Sequence, residues 1–108
     1  MTNPPKTLIW DLESAGIQGL YADRSFLTCF GYKWYKSGKT KVLNILDYPG
    51  KNCQDDSNLM KAALGVISEA DFLVAHYGDK HDRPYFRTRL TINNLNPMPN
   101  TRQFDTCL

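Results

Sequence analysis

The chain has 108 residues, 42% apolar and 22% charged, with a formal net charge of +2. This is the make-up of one small folded domain: long enough to bury a core, too apolar for a disordered tail, and too nearly neutral for charge alone to name nucleic acid as its partner. The cysteines, Cys29, Cys53 and Cys107, are odd in number and widely spaced beside only two histidines, which argues against a disulfide framework or a zinc knuckle. No stretch approaches the ~20 apolar residues that span a bilayer, and residues 1–6 lack the apolar segment of a secretion signal. The sequence therefore predicts a soluble cytoplasmic protein with no membrane partner.

Residues 7–12 contain the apolar run Leu8-Ile9-Trp10 and read as a buried strand. The run leads into Asp11-Leu12-Glu13. Residues i and i+2 of an extended chain point the same way, so the two carboxylates stand together where the strand runs out. They form a donor set for a divalent cation, and all-oxygen sites suit Mg²⁺ and Mn²⁺. A loop bearing Gly16 and Gly19 follows. Residues 26–35, rich in aromatics, and 40–47, of β-type composition, flank Lys36-Ser37-Gly38-Lys39 and predict a hairpin with a Ser-Gly turn. Pro49-Gly50 breaks the pattern, and 51–56 is a polar loop. Asp55, Asp56 or Ser57 can cap a helix in which Leu59, Met60, Ala63, Leu64 and Ile67 keep 3.6-residue spacing to about Glu69.

Residues 71–76 are short, almost wholly apolar and follow directly on a helix, which predicts a central parallel strand covered on both faces. A second helix is expected from near Asp82, since Pro84 is tolerated in a first turn, through Phe86, Leu90 and Ile92 to Asn93-Asn94. Pro97 and Pro99 impose an extended connector, and 103–108 reads as the beginning of another element. The predicted fold class is α/β: a mixed sheet whose first three strands are antiparallel, followed by helix, strand and helix. A right-handed crossover lays strand 71–76 beside strand 7–12 with both C-terminal ends on one edge. Ligand sites of open α/β sheets collect at that edge, and this topology predicts that Asp11, Glu13 and Asp82 meet there.

These segments resemble a known family. Asp11-Leu12-Glu13, the stretch from Asp71 through His76-Tyr77-Gly78-Asp79-Lys80-His81-Asp82 to Phe86, and Phe104-Asp105-Thr106 are similar to motifs of the DEDD superfamily of 3′-5′ exonucleases. That superfamily has the ribonuclease H-like fold, and the likeness is nearest to phage-type or bacterial stand-alone exonucleases. It extends over nearly the whole chain in the expected order. The resemblance implies two Mg²⁺ or Mn²⁺ ions and a substrate that is a DNA or RNA 3′ end. Asp11 would bridge both ions, Glu13 would hold the ion that activates water, and Asp82 would hold the other, directly or through a water. The chain also departs from the pattern: Ser14 stands where Thr is usual, Tyr77 where Asn is usual and His81 where Phe is usual. The family's third motif carries a fourth metal-binding aspartate and a His or Tyr beside the attacking water. It lies beyond the Asp-Thr pair, which Asp105-Thr106 matches, and the sequence stops before it. The expectation is one exonuclease-like domain over 1–108 without its third-motif region, weakly active or inactive alone. An absent C-terminal segment or another chain would complete the site, and an apolar face left open by the last strand would let copies associate.

Other residues have two readings. Lys80, Arg83, Arg87 and Arg89 place positive charge around the start of the second helix, where phosphate would approach, and Arg24 is a similar candidate; charged helix faces are also simply solvated. Tyr21 and Phe26 could stack a terminal base, although aromatics beside a hairpin ordinarily fill a core, as Trp10, Phe30 and Trp34 are expected to do. Asp82 could serve as a helix N-cap. His76 reads as a strand-end histidine satisfied by backbone and His81 as a substitute base, while Asp105 reads as a turn or capping residue and Asp79 as a loop charge. Two alternatives to the exonuclease stand beside it. One is a non-catalytic exonuclease-like module that binds nucleic acid or belongs to a larger nuclease assembly; the other is a junction-cutting nuclease of the same fold.

Overall fold

The computed structural model describes residues 4–16, 25–76 and 81–106. In chain order it contains β1 (Thr7–Ala15), β2 (Phe26–Trp34), β3 (Thr40–Asn44), α1 (Ser57–Ser68), β4 (Phe72–Ala75), α2 (Arg83–Ile92) and β5 (Arg102–Asp105). The strands form one five-stranded sheet in the order β3-β2-β1-β4-β5. β1 is antiparallel to β2 and parallel to β4, and β5 extends the sheet parallel to β4. The expected α/β class, the antiparallel start and the placing of β4 beside β1 are all present, and the element foreseen at the C-terminal end is β5.

Alternation along β1 sets the two faces. Leu8, Trp10 and Leu12 are buried while Ile9, Asp11 and Glu13 are exposed, so β1 is buried on one face only. Both helices pack on that face: Leu59, Met60, Ala63 and Ile67 of α1 and Tyr85, Phe86 and Leu90 of α2 join Leu8, Trp10, Leu12, Leu27, Phe30, Leu73 and Ala75 in a single core. Its centre is aromatic. The Trp10 ring meets Phe86 edge-on at 5.9 Å and Phe30 at 6.1 Å, and Phe30 lies 6.3 Å from Phe86. Each such side chain contributes roughly 1.5–3 kcal/mol by leaving water. β4 is central, as predicted, but fully buried only through Leu73 and Ala75; Phe72 and Val74 are half-buried on the opposite face. There Phe72 lies 5.9 Å from the exposed Phe104 ring.

Several local expectations change for identifiable reasons. β1 runs on to Ala15 because its antiparallel pairing with β2 continues to Ala15 opposite Phe26. The predicted third strand stops at Asn44, whose side chain accepts the Leu46 N–H at 2.9 Å and starts a 3₁₀ turn over Ile45–Asp47. The hairpin loop is longer than a two-residue Ser-Gly turn: Lys36 and Gly38 both have positive φ, 68° and 89°, and Ser37 donates through its N–H and its hydroxyl to the Trp34 carbonyl. β4 is docked to the start of β1 by Lys6, whose N–H donates to the Asp71 carboxylate at 2.7 Å. No helix among the described residues is long and apolar enough to cross a membrane.

Candidate metal centre

Asp11 and Glu13 stand on the exposed face of β1, two positions apart and near its C-terminal end. Directly after Glu13 the register with β2 shifts: Glu13 faces Cys29 but Ser14 faces Leu27, leaving Thr28 as the extra residue of a bulge. Bulges bend a strand and re-aim its side chains, and they gather beside functional sites. The Thr28 hydroxyl donates to the Glu13 carbonyl at 3.0 Å, which fixes the backbone that carries the second carboxylate.

Asp82 comes from the entry to α2. Asp82 occupies the N-cap position of α2, as one reading had it, but its backbone is already helical, φ −65° and ψ −45°, and its side chain makes no capping hydrogen bond. The residue is 3% exposed. Oδ1 lies 2.7 Å from Nδ1 of His81, whereas Oδ2 is buried and has no hydrogen-bond partner among the described residues. Burial pushes the Asp82 carboxyl above its ordinary pKa; the hydrogen bond from His81 opposes this, and the charges of Asp11 and Glu13 add to the rise. The charges of Asp11 and Glu13 thus reach Asp82 through space. Nearby like charges and lost solvation both disfavour the ionised form, and a cation would reverse both effects. Among the described residues, no three His, Cys, Asp or Glu side chains form a ready metal-ligand group.

His81 is held from two sides. Besides Asp82, its ring stacks on Tyr85 at 5.9 Å and 21°, and the Tyr85 hydroxyl is hydrogen-bonded to Ser25 Oγ at 2.7 Å. His76 is exposed at the end of β4, with Nδ1 3.3 Å from the Thr106 hydroxyl. Asp105 is the last residue of β5, opposite Ala75, and so belongs to a strand rather than a turn or cap.

The basic residues divide. Arg83 Nη2 donates to the Thr101 carbonyl at 2.8 Å, tying the start of α2 to the connector that precedes β5, and Arg87 is exposed one turn on. Arg89 does not belong to a phosphate-facing surface. It is 7% exposed and makes a two-pronged ion pair with the fully buried Asp56, Nη2 to Oδ1 at 2.6 Å and Nε to Oδ2 at 2.9 Å. The signal was present in the spacing, because Arg89 lies four residues after Tyr85 and three after Phe86 and so shares the buried stripe of α2; a buried cation requires a buried anion. Asp56 likewise does not cap α1 with its side chain; the Ser57 N–H is taken by Asp55. Arg24, Lys80, Tyr21, Tyr77 and Asp79 lie outside the described residues.

No protein-family model matches this sequence, and no curated protein matches it either. Solved structures do match in shape. The family B DNA polymerase from Pyrobaculum calidifontis superposes with a TM-score of 0.66 at 19% identity over 86% of this chain. A zinc-bound complex of E. coli ExoI with single-stranded DNA gives 0.71 at 12% identity over 94%, and E. coli Exonuclease I with a dT13 oligonucleotide gives 0.71 at 11% over 94%. The chain spans only 12% of the polymerase and 28% of the exonuclease chain. Identities this low speak for shape alone. The chain has the α/β ribonuclease H-like fold that it shares with Exonuclease I.

Proposed function

We propose that this domain belongs to a divalent-metal-dependent 3′-5′ exonuclease that hydrolyses phosphodiester bonds at DNA or RNA ends, with residues 1–108 forming one exonuclease-like domain. What supports this most is Asp82: a buried carboxylate with one oxygen unpartnered among the described residues, its ionisation opposed by Asp11 and Glu13 at the end of β1. Buried polar atoms are rarely left without a partner unless a function or ligand requires it. The likeness in shape to Exonuclease I, crystallised with single-stranded DNA, points the same way.

In this reading Asp11, Glu13 and Asp82 would hold Mg²⁺ or Mn²⁺. When bound, such a pair of ions supplies an activated water, charge relief on the phosphate and stabilisation of the leaving oxygen. The chain's own part is to position. His81 engages Asp82 Oδ1 and leaves Oδ2 for the cation, the kind of outer hydrogen bond that orients a ligand; the bulge after Glu13 aims its carboxylate; Arg24, Lys80, Arg83 and Arg87 contact the strand's phosphates.

A second reading, an exonuclease-like module that binds nucleic acid without cutting it or serves within a larger nuclease assembly, is favoured by the lack of a ready three-ligand group among the described residues. One experiment separates the two. With Mn²⁺, the wild type should shorten end-labelled single strands from the 3′ end and leave closed circles intact, and Asp11→Asn should abolish the cleavage. Binding without cleavage selects the module. Wild type and Asp11→Asn behaving alike in both Mn²⁺ binding and cleavage would refute the catalytic reading.

A further inference from the structure

A cleft of about 530 Å³ lies beside α2, lined by Arg83, Pro84, Arg87, Asn100, Thr101 and Arg102. Arg83 and Arg87 are four residues apart and share one face of α2; Arg102 enters from the first position of β5. No acidic side chain appears among the described lining residues, and the first turn of α2 has none. Like charges at this helical spacing work against the helix.

We infer that this cleft seats a phosphate group of a bound nucleic-acid strand. Guanidinium is the side chain best matched to phosphate oxygens, through paired, charge-assisted hydrogen bonds. Arg83 is already anchored at the wall by its bond to the Thr101 carbonyl, which reduces the ordering that binding would require. Asn100 and Thr101 add neutral hydrogen-bonding side chains, and the connector that presents them is stiffened by Pro97 and Pro99 around the buried Met98. Arg83 directly follows Asp82 in sequence, but the cleft is lined by a set of groups separate from the proposed metal ligands. The strand assignment rests on the exonuclease reading, whereas the seat itself needs no metal.

The test is therefore made in EDTA, where cleavage plays no part. Fluorescence anisotropy of a labelled single-stranded oligonucleotide is compared for wild type, for R87Q/R102Q, and for K41Q/K61Q, which removes the same charge from exposed positions on β3 and α1. Arg83 is left in place because it also ties the connector. The arginine pair should weaken binding by about tenfold or more per contact and lower the slope of log K against log salt by about 0.7 per phosphate contact, with an unchanged melting temperature; the lysine pair should do neither. Equal losses in both double variants, or none in the arginine pair, overturn the proposal. Inorganic phosphate should raise the melting temperature of wild type and not of R87Q/R102Q. If that protection appears while oligonucleotide affinity is unaltered, the cleft serves free phosphate and the strand assignment fails. Failure of the Asp11→Asn cleavage test would sink the exonuclease reading and leave this binding result where it stands.

Discussion

Arg89 and Asp56, 33 residues apart in sequence, form a buried two-pronged ion pair that fastens the end of α2 to the start of α1. The same carboxylate also accepts the Leu27 N–H at 2.8 Å and the Asn93 side-chain N–H at 2.9 Å, so β2 is joined to both helices at one point. Every lone pair this anion needs satisfied is supplied by protein, the condition under which a buried charge can be tolerated.

Removing only the cation should therefore be costly. Arg89→Ala is expected to lower stability by about 3–5 kcal/mol, because Asp56 is left charged and buried. The joint replacement Asp56→Leu with Arg89→Met should cost less than the sum of the two single changes. Urea denaturation of the four proteins checks both expectations; additive losses would contradict the pairing.

Asp82 should behave in the opposite way. Its pKa in the fold lies above the ordinary value of 3.8, so the folded state holds this proton more tightly than the unfolded one. The sign follows: the Asp82 contribution favours the fold at low pH and is lost as pH rises from about 4 through the raised value. In EDTA at neutral pH, Asp82→Asn should thus melt at or above the wild-type temperature. Mn²⁺ should raise the wild-type melting temperature, by about 2.7 kcal/mol of stability at a hundredfold excess over Kd, and leave Asp82→Asn unmoved. Equal Mn²⁺ shifts in both proteins would remove Asp82 from the metal centre.

The loop before α1 offers a control of opposite sign. Hydrogen bonds from the Lys51 N–H, the Ser57 hydroxyl and the Ser57 N–H hold the Asp55 carboxyl down at about 2. Its stabilising contribution is complete above the unfolded value of 3.8 and declines as pH falls from there through about 2. Asp55→Asn should flatten this part of an acid-unfolding profile. A methyl group at Gly50 would collide with the Asp55 carboxyl, so Gly50→Ala should displace the same side chain, cost about 1–3 kcal/mol, and add little once Asp55 has been replaced.

Phe86 carries α2 into the core between Trp10 and Phe30. Phe86→Ala should cost about 3–5 kcal/mol and shift the tryptophan fluorescence, because Trp10 loses its edge-on partner. Phe86→Leu should cost less and keep Mn²⁺ binding. An unchanged emission spectrum in Phe86→Ala would show that this contact does not organise the core.

Much of this molecule could be read along the chain because periodicity is a local property. The two-residue alternation of β1 placed Asp11 and Glu13 on one face, and the helical spacing of Leu59, Met60, Ala63 and Ile67 marked the inner side of α1. The apolar stretch around Leu73 announced a central strand, and a crossover then had little choice but to set it beside β1. What alternation cannot state is whether a second layer covers the other face, and so the expected double burial of β4 met with Phe72 and Val74 only half-buried.

Only the tertiary structure decided which partners the polar groups found. Asp55, Asp56 and Ser57 are equivalent capping candidates in sequence; three-dimensional packing sent Asp56 inward to Arg89 and left Asp55 to receive the Ser57 N–H. The bulge after Glu13 depends on how β2 aligns with β1, and the basic cleft depends on Arg102 arriving beside α2 from β5. The raised pKa of Asp82 depends on burial and on the charges of Asp11 and Glu13. Local spacing determines the face a side chain takes, because it follows from backbone geometry alone. The group it meets there comes from a distant part of the chain, and the meeting exists only once hydrophobic burial has brought the two together.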